Sequence, residues 1–113
     1  LGGRLDQTLA NILLLTLPAL RGRDVRLVAG RQIAWVLWPG EHRLPGRPGD
    51  TLSLIPLGGE AAGVATAGLE YPLRGETLSF GPARGISNVF AADVAGVSLT
   101  AGMLLAVHTL GRA

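Results

Sequence analysis

Residues Gly85-Ile86-Ser87-Asn88 place a hydroxyl and a carboxamide beside a glycine. A second run, Thr66 to Leu73, adds another hydroxyl and a phenol, Tyr71, around a turn near Gly68. Both runs lie between short strand-like segments, where a rigid β-scaffold usually presents the groups that contact a ligand. Such groups suit a neutral or weakly charged organic ligand better than a polyanion. We therefore predict an organic-ligand site in these two runs.

Each of these side chains also has a purely structural interpretation. Serine and asparagine in a loop, such as Ser87 and Asn88, often hydrogen-bond their own backbone. Thr66 suits a strand because it is β-branched. Tyr71 is held extended by the proline that follows it. Its ring either packs as an ordinary half-buried aromatic or stacks on a flat ligand, where a cationic heteroaromatic would gain roughly 0.5–2 kcal/mol.

The first residues of the chain, Gly2-Gly3-Arg4, are suited to binding phosphate because they come just before a predicted helix. Backbone amides of a glycine pair at a helix amino terminus form an anion pocket, and Arg4 adds a bidentate contact. Asp6 lies in the first turn of that helix. It either caps the helix, which stabilises it by roughly 1 kcal/mol, or hydrogen-bonds a ligand or Arg4.

The sequence has few residues suited to disulfide formation, metal binding or nucleophilic catalysis. The chain has no cysteine, which excludes disulfides and thiolate metal sites and fits a reducing compartment such as the cytoplasm. It has no Asp-x-Asp pair to hold Mg²⁺ and no recognised nucleophile motif. His42 lies in a charged segment and is interpreted as solvated, and His108 in the last predicted strand as structural. We predict no metal ligand and no catalytic residue.

Composition limits the partners. The chain has 113 residues, of which 48% are hydrophobic, so one domain with a real core is expected. The aromatic content is 4% and the arginines are scattered, which does not favour nucleic-acid binding. The longest apolar run, Leu9 to Leu20, is interrupted by Asn11 and Pro18 and is too short to span a bilayer. We predict no nucleic-acid or membrane partner.

A helix over residues 5–20 is predicted to come first. Its leucines extend nearly all round, so we expect burial on most sides and therefore a neighbour that these residues do not include. Pro18 is expected to fray or kink its last turn.

After the helix the periodicity changes to that of strands. The predicted strands are 25–28, 32–38, 50–57, 63–67, 69–73, 76–81, 94–100 and 103–110, with 39–49 as a loop. Many short strands with regular turn signals predict an all-β fold, an antiparallel, jelly-roll-like β-sandwich preceded by one amino-terminal α-helix.

The chain resembles thiamine pyrophosphokinase over nearly its whole length. Gly2 to Asn11 is similar to the family's glycine-glycine-arginine helix start, with Gln7 where the family often has histidine. The other matching blocks are Gly49 to Leu57 with Val64 to Leu73, and then Gly85 to Asn88. The order and spacing of the blocks agree together, which is more specific than any single block.

The resemblance implies an α/β catalytic domain, to which residues 1–22 contribute the terminal helix, and a thiamine-binding β-sandwich at 23–113. It implies transfer of diphosphate from ATP to the thiamine hydroxyl with Mg²⁺, giving thiamine diphosphate and AMP. It also implies a homodimer, with each active site between the α/β domain of one subunit and the sandwich of the other.

The resemblance further implies roles for single residues. The thiamine-binding residues would be Thr66, Tyr71, Ser87 and Asn88. The phosphate-binding residues would be Gly3, Arg4 and Asp6. The family's metal-binding and catalytic carboxylates belong to the α/β domain, which also binds most of the ATP and Mg²⁺. Because phosphoryl-type transfer depends on positioning and charge neutralisation, we expect little activity from this chain alone.

Two alternatives stay open. One is a non-catalytic β-sandwich that serves only to assemble a dimer, which the apolar helix motivates. The other is a related pyrophosphokinase that acts on another alcohol, such as a pterin.

Overall fold

The computed structural model describes residues 5–21, 23, 25–79 and 87–111. The amino-terminal helix α1 spans Leu5–Leu14, shorter than the predicted 5–20. Beyond it the backbone tightens, since the Leu15 N–H donates to the carbonyl three residues back at 3.0 Å. The Thr16 hydroxyl donates to the Leu13 carbonyl at 2.7 Å. A 3-10 helix at Pro18–Leu20 follows, and it begins with a proline, which has no N–H to continue the α-helical hydrogen bonds.

The apolar surface of α1 is largely uncovered. Leu9, Leu13 and Leu14 are 52%, 63% and 55% exposed, whereas Leu15 just after the helix is buried. The expected burial on most sides is therefore not provided by the described residues. None of the helices within the described ranges is long and apolar enough to cross a membrane.

In the described part of the chain, nine strands form two antiparallel sheets, which confirms the predicted sandwich. The strands are β1 Arg26–Ala29, β2 Gln32–Leu37, β3 Gly40–Pro45, β4 Thr51–Pro56, β5 Ala61–Ala67, β6 Arg74–Leu78, β7 Asn88–Val89, β8 Val94–Leu99 and β9 Leu104–Thr109. Sheet A has the order β1-β2-β9-β4-β7 and sheet B the order β3-β8-β5-β6.

Alternating leucines and valines build the core between the sheets. Leu52 and Leu54 of β4 are buried, and so are Val97 and Leu99 of β8, while their strand neighbours are only half-buried. Each such side chain contributes roughly 1.5–3 kcal/mol when fully buried. The period-2 pattern therefore fixes which face of each strand points inward.

Three local predictions were wrong. The predicted loop 39–49 contains β3, which pairs with β8 along Gly40–Pro45. The predicted strand 69–73 is a loop with a single bridge between Leu69 and Phe90. Asn88, predicted to lie in a loop, belongs to β7 and pairs with Leu52 of β4.

Candidate ligand-binding site

The candidate site is built around residues 68–73, here called the 68–73 loop, which joins β5 to β6 where sheet B meets β7 of sheet A. Gly68 begins the loop with φ of +78°, and a Cβ there would collide with the Val94 carbonyl oxygen. The Gly68 carbonyl accepts from the Ala91 N–H at 2.8 Å. A glycine is therefore required where the chain leaves β5.

Thr66 closes the base of the loop. Its N–H donates to the Leu73 carbonyl at 2.9 Å. Its hydroxyl accepts from the Leu73 N–H at 2.8 Å. Because both bonds go to one residue, Thr66 holds the two ends of the 68–73 loop together.

Asn88 holds the middle of the loop from the opposite sheet. Its Oδ1 accepts from the Tyr71 N–H at 3.0 Å, and its Nδ2 donates to the Tyr71 carbonyl at 2.6 Å. Oδ1 also accepts from the Val89 N–H at 2.9 Å, and the Glu70 N–H donates to the Val89 carbonyl at 2.9 Å. One Nδ2 hydrogen is left over, since a carboxamide nitrogen has two.

The Tyr71 phenol and the Ser87 hydroxyl are not used in holding the loop. The Tyr71 side chain is 69% exposed although its backbone is fixed by Asn88. Ser87 has φ of +57°, the left-handed region, and its N–H donates to the Ser53 Oγ at 2.9 Å. Within the described part of the chain, the Ser87 hydroxyl has no hydrogen-bond partner. The phenol and this hydroxyl are therefore accessible to a ligand.

The four predicted thiamine-binding residues thus lie around one loop. Thr66 and Asn88 bind its backbone, Tyr71 is part of it, and Ser87 precedes Asn88. Their contact with a ligand stays a prediction. Thr66 also lines an open groove of about 290 Å³ on the outer face of sheet B, which is flanked by Glu41 and Arg43.

The predicted phosphate-binding residues are not joined to this loop. Asp6 is exposed, and its Oδ1 accepts from the Gln7 N–H at 2.8 Å. Among the described residues, no hydrogen bond links Asp6 to the 68–73 loop or to Asn88. Gly3 and Arg4 lie outside the described residues, so the phosphate site stays a prediction.

A second polar cluster, Asp50–His108, lies at one end of the sandwich and was not singled out by the sequence. His108 Nε2 donates to Asp50 Oδ2 at 2.7 Å, and both side chains are buried. The Arg47 N–H also donates to Oδ2, at 3.1 Å, and the Gly111 N–H to Oδ1, at 2.8 Å. This bond agrees with the structural interpretation of His108. The only sequence pattern near Asp50 that could have drawn attention to it is the turn before β4.

These bonds set the charge of Asp50. Burial raises the pKa of the Asp50 carboxyl, but the hydrogen bonds from Gly111, His108 and Arg47 outweigh it and hold that pKa below its ordinary 3.8. Asp50 is therefore a carboxylate at neutral pH, with both oxygens already bonded. His42, predicted to be solvated, is half-buried instead, and its Nε2 donates to the Trp38 carbonyl at 2.7 Å.

Comparison with known proteins is decisive for the family. Residues 41–104 match the family described as thiamin pyrophosphokinase, vitamin B1 binding domain. The chain belongs to this family. The part that matches the vitamin B1 binding domain includes the whole 68–73 loop with Thr66, Ser87 and Asn88, whereas Asp6 lies outside it.

Solved thiamin pyrophosphokinases have the same architecture. The Bacillus subtilis enzyme matches with a TM-score of 0.88 and 25% identity, over 97% of this chain and 52% of that one. A thiamin pyrophosphokinase family protein from Enterococcus faecalis matches with a TM-score of 0.82 and 27% identity, over 96% and 51%. Yeast thiamin pyrophosphokinase, at 18% identity and a TM-score of 0.76 over 96% and 37%, shares the fold. This chain therefore spans about half the length of the two bacterial structures.

Proposed function

We propose that this chain binds thiamine as the sandwich part of a thiamine pyrophosphokinase. The observation that supports it best is the placement of Thr66, Tyr71, Ser87 and Asn88 around one loop inside the family-matched region. These residues were grouped by resemblance, and Tyr71 lies 17 positions before Asn88. Hydrogen bonds between the Asn88 side chain and the Tyr71 backbone, and between Thr66 and Leu73, support this grouping.

The chemistry of the loop suits thiamine, a cation with two linked flat rings that contain nitrogens. The exposed Tyr71 ring can stack on the ligand, and a cation over such a face gains roughly 0.5–2 kcal/mol. The Ser87 hydroxyl and the remaining Nδ2 hydrogen of Asn88 can bond ring nitrogens. Since Thr66 and Asn88 fix the loop before the ligand arrives, little ordering entropy opposes binding.

For the whole protein, we extend the proposal to the transfer of diphosphate from ATP to the thiamine hydroxyl, giving thiamine diphosphate and AMP. Gly3, Arg4 and Asp6 would then lie near the phosphates, and a cytoplasmic homodimer would bring the two halves of the site together. The described residues do not fit a Mg²⁺ site, since no group of three or more His, Asp or Glu that could hold a metal occurs there. Under this proposal, Mg²⁺ would be bound by the α/β domain that the resemblance implies.

Calorimetric titration with thiamine tests the proposal. The 113-residue chain is titrated first, followed by the full-length natural protein with Mg²⁺ and a non-hydrolysable ATP analogue. We expect heat of binding that a pterin competitor does not abolish, because a site built for one ring's polar groups rejects a ring that lacks them. No thiamine heat with either protein, and no thiamine diphosphate from the full-length protein with ATP, would refute the proposal.

The exposed leucines of α1 favour a second candidate function, dimer assembly without ligand binding. Leu9, Leu13 and Leu14 are each more than half exposed, which is unusual for leucines on one helix. Sedimentation separates the two candidates. A stable dimer without thiamine affinity supports assembly alone, and thiamine binding supports the first proposal whatever the oligomeric state.

A further inference from the structure

Ser53 lies directly opposite the predicted thiamine-binding serine. In the β4–β7 ladder, Thr51 pairs with Val89 and Leu52 with Asn88, so the next residues along the two strands are Ser53 and Ser87. Ser53 lies between the buried Leu52 and Leu54, which places its own side chain on the outer face of sheet A. It is half-buried and contributes nothing to the core.

The pairing changes character at this position. β7 begins at Asn88, and the Ser87 N–H donates to the Ser53 hydroxyl oxygen at 2.9 Å instead of continuing the strand. Ser87 has φ of +57°, and it is the one non-glycine residue in the described ranges with positive φ. A serine in this region is held there by its surroundings, and such strained residues cluster at ligand sites.

We propose that Ser53 is a positioning residue for thiamine. Its hydroxyl fixes the backbone of Ser87, the residue directly before Asn88, whose carboxamide holds the 68–73 loop. Ser53 acts through Ser87 and does not itself touch the ligand. The inference rests on the proposed function, because it assigns Ser53 a task at the same site.

The test compares Ser53→Ala with Ser53→Thr, which restores a hydroxyl on an outward-facing strand position. Amide hydrogen exchange is measured without ligand, and thiamine affinity by calorimetry. We expect faster exchange of the Ser87 amide in Ser53→Ala and thiamine affinity about three- to tenfold weaker, the usual effect of losing one such hydrogen bond. Ser53→Thr regains both values, and the melting temperature stays close to that of the unaltered chain.

Thr100→Val provides the matched control. The Thr100 hydroxyl donates to the Ala62 carbonyl at 3.1 Å, at the opposite end of β5 from the 68–73 loop. This variant also loses one hydroxyl hydrogen bond to a strand, but thiamine affinity is expected to stay within twofold.

Each contrary outcome has a separate meaning. If the unaltered chain and the full-length protein bind no thiamine, the proposed function fails and this inference fails with it. If they bind thiamine but Ser53→Ala binds it equally well, only the positioning role of Ser53 is refuted. An unchanged Ser87 exchange rate in Ser53→Ala refutes the hydrogen bond itself. Equal loss of affinity in Ser53→Ala and Ser53→Thr would show a steric effect in place of positioning.

Discussion

The Asp50–His108 cluster and the 68–73 loop are held by the same kind of hydrogen bond but differ in how far their side chains are exposed. In both, a polar side chain binds backbone amides of a loop that links strands. Asp50 accepts three hydrogen bonds and is only 5% exposed. Tyr71, by contrast, is held by its backbone while its side chain is 69% exposed.

Under the proposed function, the first region would serve stability and the second would serve binding. At Asp50 both carboxylate oxygens already accept hydrogen bonds within the protein, and the side chain is buried, so the group serves the fold. At the 68–73 loop, the Asn88 carboxamide makes most of its hydrogen bonds to the backbone, whereas the Tyr71 side chain and the Ser87 hydroxyl are accessible. Side-chain changes at Asp50 should therefore act on folding, and changes to the exposed side chains of the second region mainly on thiamine affinity.

The largest effect is expected from Asp50→Ala. It leaves the His108 ring and the amides of Arg47 and Gly111 without their acceptor. Removing one partner of a buried pair typically costs about 3–5 kcal/mol of unfolding free energy. Urea unfolding measures the loss.

The control for Asp50→Ala is Asp93→Ala, since Asp93 is exposed. Exposed substitutions usually change the free energy of unfolding by less than about 0.5 kcal/mol. Equal losses in the two variants would contradict a special role for Asp50.

Gly68→Ala is expected to follow, with a loss of about 2–4 kcal/mol. The new Cβ meets the Val94 carbonyl oxygen, and a positive φ adds strain for any residue with a Cβ. Since the 68–73 loop starts here, thiamine affinity should fall with stability. Unfolding and calorimetric titration measure the two effects.

Gly75→Ala isolates the steric part of that prediction. Gly75 has φ of +75°, close to the +78° of Gly68, but nothing lies within 4 Å of a Cβ built there. Its cost is expected to be the backbone strain alone, about 1–2 kcal/mol. If the two alanine variants were equally stable, the contact with Val94 would carry no energetic weight.

The core was predictable from the sequence because its signal is local. Alternation such as Leu52 and Leu54 in β4 specifies a half-buried strand whatever its partners are. β3 escaped prediction because Leu44 is its one buried side chain and the rest of the strand reads as a charged loop. Leu69 and Leu73 led to the opposite error, a strand predicted where a loop lies, because both leucines are buried although the chain reverses between them.

For the candidate site, the resemblance supplied the residues but not the contacts between them. The resemblance grouped Tyr71 with Asn88, but no local pattern shows that the Asn88 carboxamide binds both backbone groups of Tyr71 across 17 positions. The same holds for Asp50 and His108, which lie 58 positions apart. Hydrogen bonds of this kind depend on which strands become neighbours, and that is decided by tertiary packing.

Acid should destabilise the protein through Asp50. The pKa of this carboxyl is below its ordinary 3.8 in the folded chain, so the unfolded chain takes up the proton first as the pH falls. The stabilisation is complete above about pH 5 and is lost progressively as the pH falls below about 4 toward the folded pKa. Urea unfolding between these limits measures the slope, and Asp50→Asn, which cannot titrate, should flatten it. An unchanged slope would mean that other carboxyls dominate.

Tyr71→Ala is expected to have the smallest effect on folding and to give the clearest test of ligand binding at the 68–73 loop. The side chain is 69% exposed, so the free energy of unfolding should change by less than about 0.5 kcal/mol. Thiamine affinity should fall by about 0.5–2 kcal/mol because the stacking face is lost, whereas Tyr71→Phe keeps the ring and most of the affinity. Val28→Ala, at a position 72% exposed on β1, is the control for losing an exposed apolar side chain. If Tyr71→Ala bound thiamine as tightly as Val28→Ala, the ring would not stack on the ligand, and the two regions would differ in exposure without differing in function.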